Sequence, residues 1–336
     1  MATKLKGQTV NFYTPPQISG HSSVMGPEEG QGPLGNKFDL TYKDPKCGKS
    51  SWEKGEKQMV SDAVGLSLDK AGVSADKIDF MLGGDLLDQI VTANYIARDF
   101  PVAFLGLYGA CSTMIEGLCM SSFLLDGGFA DKVLAFSSSH YQTAERQYRT
   151  PLEYGDQYPP YKQWTVTGSG SYVLEKSGGD VWITHCTVGK VMDLGIKDAN
   201  NMGAAMAPAA ADTIMQHFID ISRGPQDYDL IVTGDLGRTG KDILAELLRE
   251  NNMNIKNKIQ DCGDILLPDE KKYGAGGSGC AASAGVLSAH YIPEISSGNI
   301  GRILFLGTGS LMNPVMLQQK ESIPGISHAV VIERIS

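Results

Sequence analysis

Residues 53–86 read EKGEKQMVSDAVGLSLDKAGVSADKIDFMLGGDL, and residues 206–236 read MAPAAADTIMQHFIDISRGPQDYDLIVTGDL. Each is an amphipathic helix, a turn and a short apolar strand. Each ends in Gly-Asp-Leu, at Gly84-Asp85-Leu86 and Gly234-Asp235-Leu236, 150 residues apart. Two more matches follow in the same order. Gly109-Ala110-Cys111-Ser112 opens a helix, as does Ser278-Gly279-Cys280-Ala281, and the strand Lys132–Ser138 matches Arg302–Gly309, at offsets of about 170 residues. One shared tripeptide is chance, whereas three ordered matches with the same local structure mark a duplication.

The strand candidates Ile78–Leu82, Val102–Leu107, Val133–Phe136, Leu230–Val232 and Ile303–Leu306 are apolar on both faces. Strands of that kind, separated by helical stretches, predict a largely parallel sheet covered on both sides. Gly168–Glu175, Val181–Val188 and Ala329–Ile335 are read as added strands. The fold class is therefore α/β, a duplicated sheet in five layers, α/β/α/β/α. The halves, 1–176 and 177–336, meet near Lys176-Ser177-Gly178-Gly179-Asp180 and together form one compact unit. Segments 138–167 and 190–205 lack a clear period and are rich in aromatic, polar and glycine residues, as site-forming loops are.

Acidic residues outnumber basic ones 38 to 29, for a net charge of -9, which argues against a general nucleic-acid binder. The six cysteines are scattered without a CxxC pair, so free thiols in a reducing compartment are expected. The start, MATKLKGQTVNF, lacks the apolar stretch of a signal peptide, and no apolar run is long enough to span a bilayer. Any place at a membrane is then expected to come through another protein. The histidines are isolated and neither HExxH nor an EF-hand spacing occurs, so no metal site is expected.

Cys111 stands between a strand-like and a helix-like run. A sulfur over the positive end of a helix is stabilised as thiolate and suits covalent acyl transfer. The other readings are a small polarisable wall of a pocket and an inert buried cysteine. His140 follows a strand inside a site-rich loop, where it would act as a base toward Cys111, donate a hydrogen bond to a ligand carboxylate, or simply bond to backbone. Arg146 and Arg149, in HYQTAERQYRTP, are the anion-binding candidates, because two guanidinium forks can grip a rigid dicarboxylate; Glu145 and Glu153 are their alternative, structural partners. Tyr141, Tyr148 and Tyr154 offer aromatic faces. Asp85 and Asp235 close equivalent strands, and ligands of open α/β sheets gather at such strand ends. The other reading of each is a cap on the following turn. Gly274, Gly276, Gly277 and Gly279 would either expose N–H groups to an anion or let two helices pack closely.

Tyr108-Gly-Ala-Cys-Ser-Thr113, within this duplicated layout from Glu53 to Arg334, resembles the thiolase-like superfamily, in particular its β-ketoacyl-acyl-carrier-protein synthase III branch. That resemblance implies a nucleophilic cysteine at Cys111, with a histidine after the strand of Tyr228–Thr233 and an asparagine in the turn before the last core helix. Those places read Thr233-Gly234-Asp235-Leu236-Gly237 and Tyr273-Gly-Ala-Gly-Gly-Ser-Gly-Cys280, with neither residue, so no catalytic residue is expected and Cys111 is a vestigial nucleophile. Further stretches are similar to the stage V sporulation protein AD family of spore-forming bacteria. They are Gly26-Pro27-Glu28-Glu29-Gly30-Gln31-Gly32-Pro33-Leu34-Gly35, Thr92–Arg98, Ser138-Ser139-His140, Ala144–Gln147, Ala205–Thr213 and Gln318–Pro324.

The second resemblance implies a non-catalytic component of the assembly that moves dipicolinic acid into and out of the spore. With that ligand, the site expected from the residues is Cys111, His140, Arg146, Arg149, Tyr141 and Asp235, with no cofactor beyond Ca2+ accompanying dipicolinate. Its implied partners are the membrane-spanning proteins of that assembly at the spore inner membrane, and a second copy of the chain in a homodimer, with Thr92–Arg98 beside the partner's pocket. The alternatives are a divergent cysteine-dependent acyltransferase or thioesterase, in which His140 serves Cys111, and a purely structural subunit.

Overall fold

The computed structural model describes residues 3–4, 7–148 and 159–335. In chain order its main elements are β1 (Gln17–Met25), α1 (Trp52–Ala71), β2 (Phe80–Gly84), α2 (Val91–Ala97), β3 (Ala103–Gly106), α3 (Thr113–Asp126), β4 (Lys132–Ser139), α4 (Tyr141–Tyr148) and β5 (Gly168–Glu175). The second half supplies β6 (Trp182–Thr187), α5 (Met202–Ile221), β7 (Leu230–Thr233), α6 (Gly237–Glu250), β8 (Ile259–Asp261), α7 (Cys280–Val286), β9 (Arg302–Ser310) and β10 (Gly325–Glu333).

The strands run β3-β2-β4-β5-β1 in the first half and β8-β7-β9-β10-β6 in the second. The two orders are the same once β2 is matched to β7 and β4 to β9. In each, three strands are parallel and two antiparallel strands are added beyond β4 or β9. The sheets join where Trp182 of β6 pairs with Gln17 of β1. Helices α1 and α2 lie on the first sheet, and α5 and α6 on the second; α3 touches strands of both, with α7 beside it. The five expected layers are present, in a fold of the thiolase-like class. Strand Thr9–Asn11 pairs with β6, so the start of the first half completes the sheet of the second.

Local chemistry explains the elements. The first turn of α1 is capped by Ser51, whose Oγ accepts from Lys54 N at 3.3 Å, a contact worth about 1 kcal/mol. Its end is set by Gly72 at φ +66, a left-handed turn that a side chain would strain. Every residue of β4 except Lys132 is buried, because helices cover both faces of the sheet. The longer second offset comes partly from α6, which has 14 residues where its counterpart α2 has 7, and partly from the stretch that carries the short helices Cys262–Leu266 and Glu270–Tyr273.

Several elements escaped the sequence reading, among them strands Thr9–Asn11 and β8 and the two that follow. Strand β1, QISGHSSVM, is polar along half its length, yet it is buried between β5 and the helices. Within 138–167, read as loop, the described part contains the eight-residue helix α4. All six cysteines are free thiols, and no helix among the described residues is long and apolar enough to cross a membrane.

Candidate functional site

After β3 the chain reaches Ala110, which takes φ +50, a backbone region costly for a residue with a Cβ. Three bonds hold that turn: Thr113 Oγ1 donates to Ala110 O at 2.7 Å, Ser112 Oγ to Gly109 O at 2.7 Å, and Gly109 N to Thr113 Oγ1 at 3.1 Å. Cys111 is thereby set just ahead of the first turn of α3, with its thiol toward the second half of the duplication.

There the thiol faces Asp235. Asp235 Oδ2 also accepts from Gly279 N at 2.8 Å and Oδ1 from Thr308 Oγ1 at 2.7 Å. Gly279 is confined to glycine by its φ of +102 and because a Cβ would come within 2.7 Å of Ser139 Oγ. Burial pushes the Cys111 thiol well above its ordinary value; the neighbouring Asp235 and Cys280 push it the same way, and the Gly279 N–H only partly offsets them. The thiolate stabilisation expected from the helix end is thus outweighed by desolvation and an adjacent acid. Burial also lifts Asp235 to about 7, against the hydrogen bonds it accepts.

The counterpart acid behaves differently. Asp85 accepts from Leu87 N at 2.9 Å and Ala93 N at 2.8 Å, so it ties down the turn into α2, as the capping reading expected. Cys280, the counterpart of Cys111, donates to Ser138 O at 2.8 Å and is fully enclosed.

Cys111 opens onto a cavity of about 30 Å³, room for roughly two waters. Leu86, Ala144, Tyr148, Met202 and Met312 form its apolar wall, and Glu145, Thr165, Ser278 and Ser310 bring polar groups. Thr165 Oγ1 donates to Glu145 Oε1 at 3.2 Å. Strand Trp164–Thr165 pairs in parallel with Gly277–Ser278. Alternation along it sends Thr165 to this cavity and Trp164 to a neighbouring recess beside Tyr141, Tyr273 and Lys272, which Glu145 also borders. Among the described residues the cavity wall holds no histidine, asparagine, arginine or lysine.

The chain matches the family described as Stage V sporulation protein AD (SpoVAD) over residues 6–333. It is 49% identical over 332 residues to the stage V sporulation protein AD of Bacillus subtilis (strain 168), covering 98% of each chain. This chain belongs to the stage V sporulation protein AD family. Its fold is shared with solved structures at much lower identity. The 3-oxoacyl-[acyl-carrier-protein] synthase III of Aquifex aeolicus VF5 aligns at 16% identity with a TM-score of 0.57, over 95% of this chain and 99% of that one. A variant of OleA from Xanthomonas campestris aligns at 14% identity and 0.58, over 96% and 99%.

In this member of the stage V sporulation protein AD family, the predicted site residues do not all converge. Cys111 and Asp235 meet. His140 Nε2 is bonded to Pro45 O at 2.8 Å, its ring lies 5.9 Å from that of Trp52, and it does not line the Cys111 cavity. Burial lowers its pKa. Arg146 pairs with Glu53 at the start of α1, also away from the cavity. Tyr141 stacks on Trp164 with centroids 4.0 Å apart, in the neighbouring recess. Arg149, Glu153 and Tyr154 lie outside the described residues.

The reason is helical geometry. Along α4, positions 141, 144, 145 and 148 share one face, and Ala144, Glu145 and Tyr148 reach the Cys111 cavity. Thr143 and Arg146 lie on the face toward α1, where Thr143 Oγ1 donates to Glu56 Oε2 at 3.1 Å. That spacing is present in the sequence and would have favoured Glu145 over Arg146. Ser310, Met202 and Met312 were missed altogether. The offset of about 170 residues points to Ser310 as the counterpart of His140, but no local motif marks Met202 or Met312.

Proposed function

We propose that this chain holds dipicolinate reversibly, without covalent chemistry, in the cavity beside Cys111, as a component of the assembly that carries dipicolinate across the spore inner membrane. Full-length membership of the stage V sporulation protein AD family supports the ligand class. The observation that carries the non-covalent reading is the Cys111–Asp235 pair. Nucleophilic attack by sulfur needs a thiolate, and a base that becomes cationic would stabilise one. A buried acid does the opposite, holding the sulfur protonated.

Two features shape the bound state. Glu145 and Asp235 make the surroundings acidic, which favours dipicolinate arriving with Ca2+ over the bare dianion. The cavity is smaller than the ligand, so binding requires its wall to yield. Met202 and Met312 are the side chains suited to that, each with three rotatable bonds and a soft thioether.

Homodimerisation through β3 is part of the same reading. This strand is the edge of its sheet, Leu105 upon it is 42% exposed, and Tyr95 and Tyr108 nearby are exposed as well. An open edge with apolar side chains is a template for pairing with a second copy. Delivery to membrane-spanning partners then involves the dimer.

Calorimetric titration with dipicolinate, with and without Ca2+, tests the proposal. Saturable binding that survives Cys111→Ala and is lost in Ala144→Phe, which fills the cavity, is the expected result. Binding retained by Ala144→Phe would remove the ligand from this cavity. Release of product from an acyl thioester, abolished by Cys111→Ala, would replace the reading with a cysteine-dependent acyltransferase or thioesterase.

A further inference from the structure

Ser310 ends β9, and its Oγ is buried without a hydrogen-bond partner while its side chain lines the Cys111 cavity. A hydroxyl is one donor and two acceptor sites, and leaving it unmatched in a protein interior is unfavourable. Most buried hydroxyls are paired, so an unpaired one on a residue that lines a cavity marks a place where something else can supply the partner.

The duplication sharpens the point. Ser310 stands one residue beyond Gly309 on β9, and His140 one residue beyond Ser139 on β4, in equivalent places of the two sheets. At His140 the place is filled by the ring, which lies near Trp52 and bonds Pro45 O through Nε2, its Nδ1 buried without a partner but away from the Cys111 cavity. At Ser310 the small side chain leaves the place open, flanked by Met312 and by Ala110 of the strained turn before Cys111. The same position of one ancestral half has been sealed in one copy and kept open in the other.

We infer that Ser310 is the residue that orients the ligand, its hydroxyl donating a hydrogen bond to a carboxylate oxygen of a small planar acid held beside Cys111. This rests on the proposed reading of the cavity as a carboxylate receptor and adds to it the group that recognises the ligand. His140 has no part in recognition. The hydroxyl contributes nothing to the free protein, since it has no partner there, and its value appears only in the complex.

Titration of wild type, Ser310→Ala and His140→Ala with calcium dipicolinate, paired with thermal unfolding of the ligand-free proteins, tests this. Ser310→Ala is expected to raise Kd about tenfold while Tm of the ligand-free protein stays equal or rises; His140→Ala lowers Tm and keeps the wild-type Kd. A Ser310→Ala protein that binds within twofold of wild type overturns the inference and leaves the receptor reading standing. A lowered ligand-free Tm in Ser310→Ala assigns the hydroxyl a structural role and overturns it as well. Wild type that does not bind at all defeats the receptor reading, and the inference falls with it.

Discussion

The thiol of Cys111 faces the carboxyl of Asp235, a residue from the opposite half of the duplication. The fold keeps the cysteine at the start of a central helix, where a thiolate would be favoured, and sets against it a buried acid that keeps the sulfur protonated. A site with a nucleophile's position but not its charge state suits holding a ligand better than reacting with one.

That balance is measurable. Cys111 should react slowly with iodoacetamide near pH 7, at a rate still climbing above pH 9, because the thiol lies well above its ordinary value. Asp235→Asn removes a negative neighbour and should raise the neutral-pH rate several-fold. Mass spectrometry of the Cys111 peptide follows it. An equal or slower rate in Asp235→Asn would show that burial alone silences the thiol.

Stability should depend on pH in an unusual direction. Burial raises Glu29 and Asp235 to about 7, Glu56 to about 8 and Asp261 to about 6. An acid whose folded value exceeds its unfolded one binds a proton more tightly in the native state. Its contribution is complete below the unfolded value and is lost as pH rises through the folded one. Buried His21, His185, His217 and His328, lowered to about 4, 4, 3 and 4, work the other way up to about pH 6.5, so the acids' loss should lower Tm as pH rises from about 6.5 to 8. Calorimetric scans across that window check it, and Asp235→Asn should flatten part of the slope. A Tm that climbs from pH 6.5 to pH 8 would contradict the picture.

His140→Ala and Arg146→Ala should separate packing from surface charge. The first loses the bond to Pro45 O and the buried contact with Trp52, a cost of about 2–3 kcal/mol in denaturant unfolding. The second removes an ion pair whose arginine is 58% exposed, worth less than about 1 kcal/mol. Neither residue lines the Cys111 cavity, so both variants should bind dipicolinate within about twofold of wild type.

Leu105→Lys places a charge on the open edge of β3. Sedimentation should show the wild-type dimer replaced by monomer at micromolar concentration, with unfolding of the monomer still cooperative. A wild-type protein that sediments as a monomer would remove the homodimer from the proposal.

The duplication, the alternation of strand and helix, and the place of Cys111 were all legible in the chain. They rest on local periodicity and on repeated motifs that a linear reading can align. The first sheet's β1 was not, because its burial comes from strand and helix neighbours distant in sequence and not from its own mixed composition. Helix α4 was hidden in a polar, aromatic stretch, and with it the face that reaches the cavity. Arg146 and His140 drew attention through residue type alone; one turn of helix and a contact with Pro45 placed them elsewhere.

By itself, then, the sequence determined that two related halves would stack into layers and that a cysteine would stand at the head of a central helix. Only the tertiary structure decided what that cysteine meets. Asp235, Gly279 and Ser310 arrive from three separate segments of the second half, brought to one point by the packing of two sheets around α3 and α7. The charge state of Cys111 follows from that convergence. It is set by burial and by a neighbour more than a hundred residues away, and no local pattern encodes either.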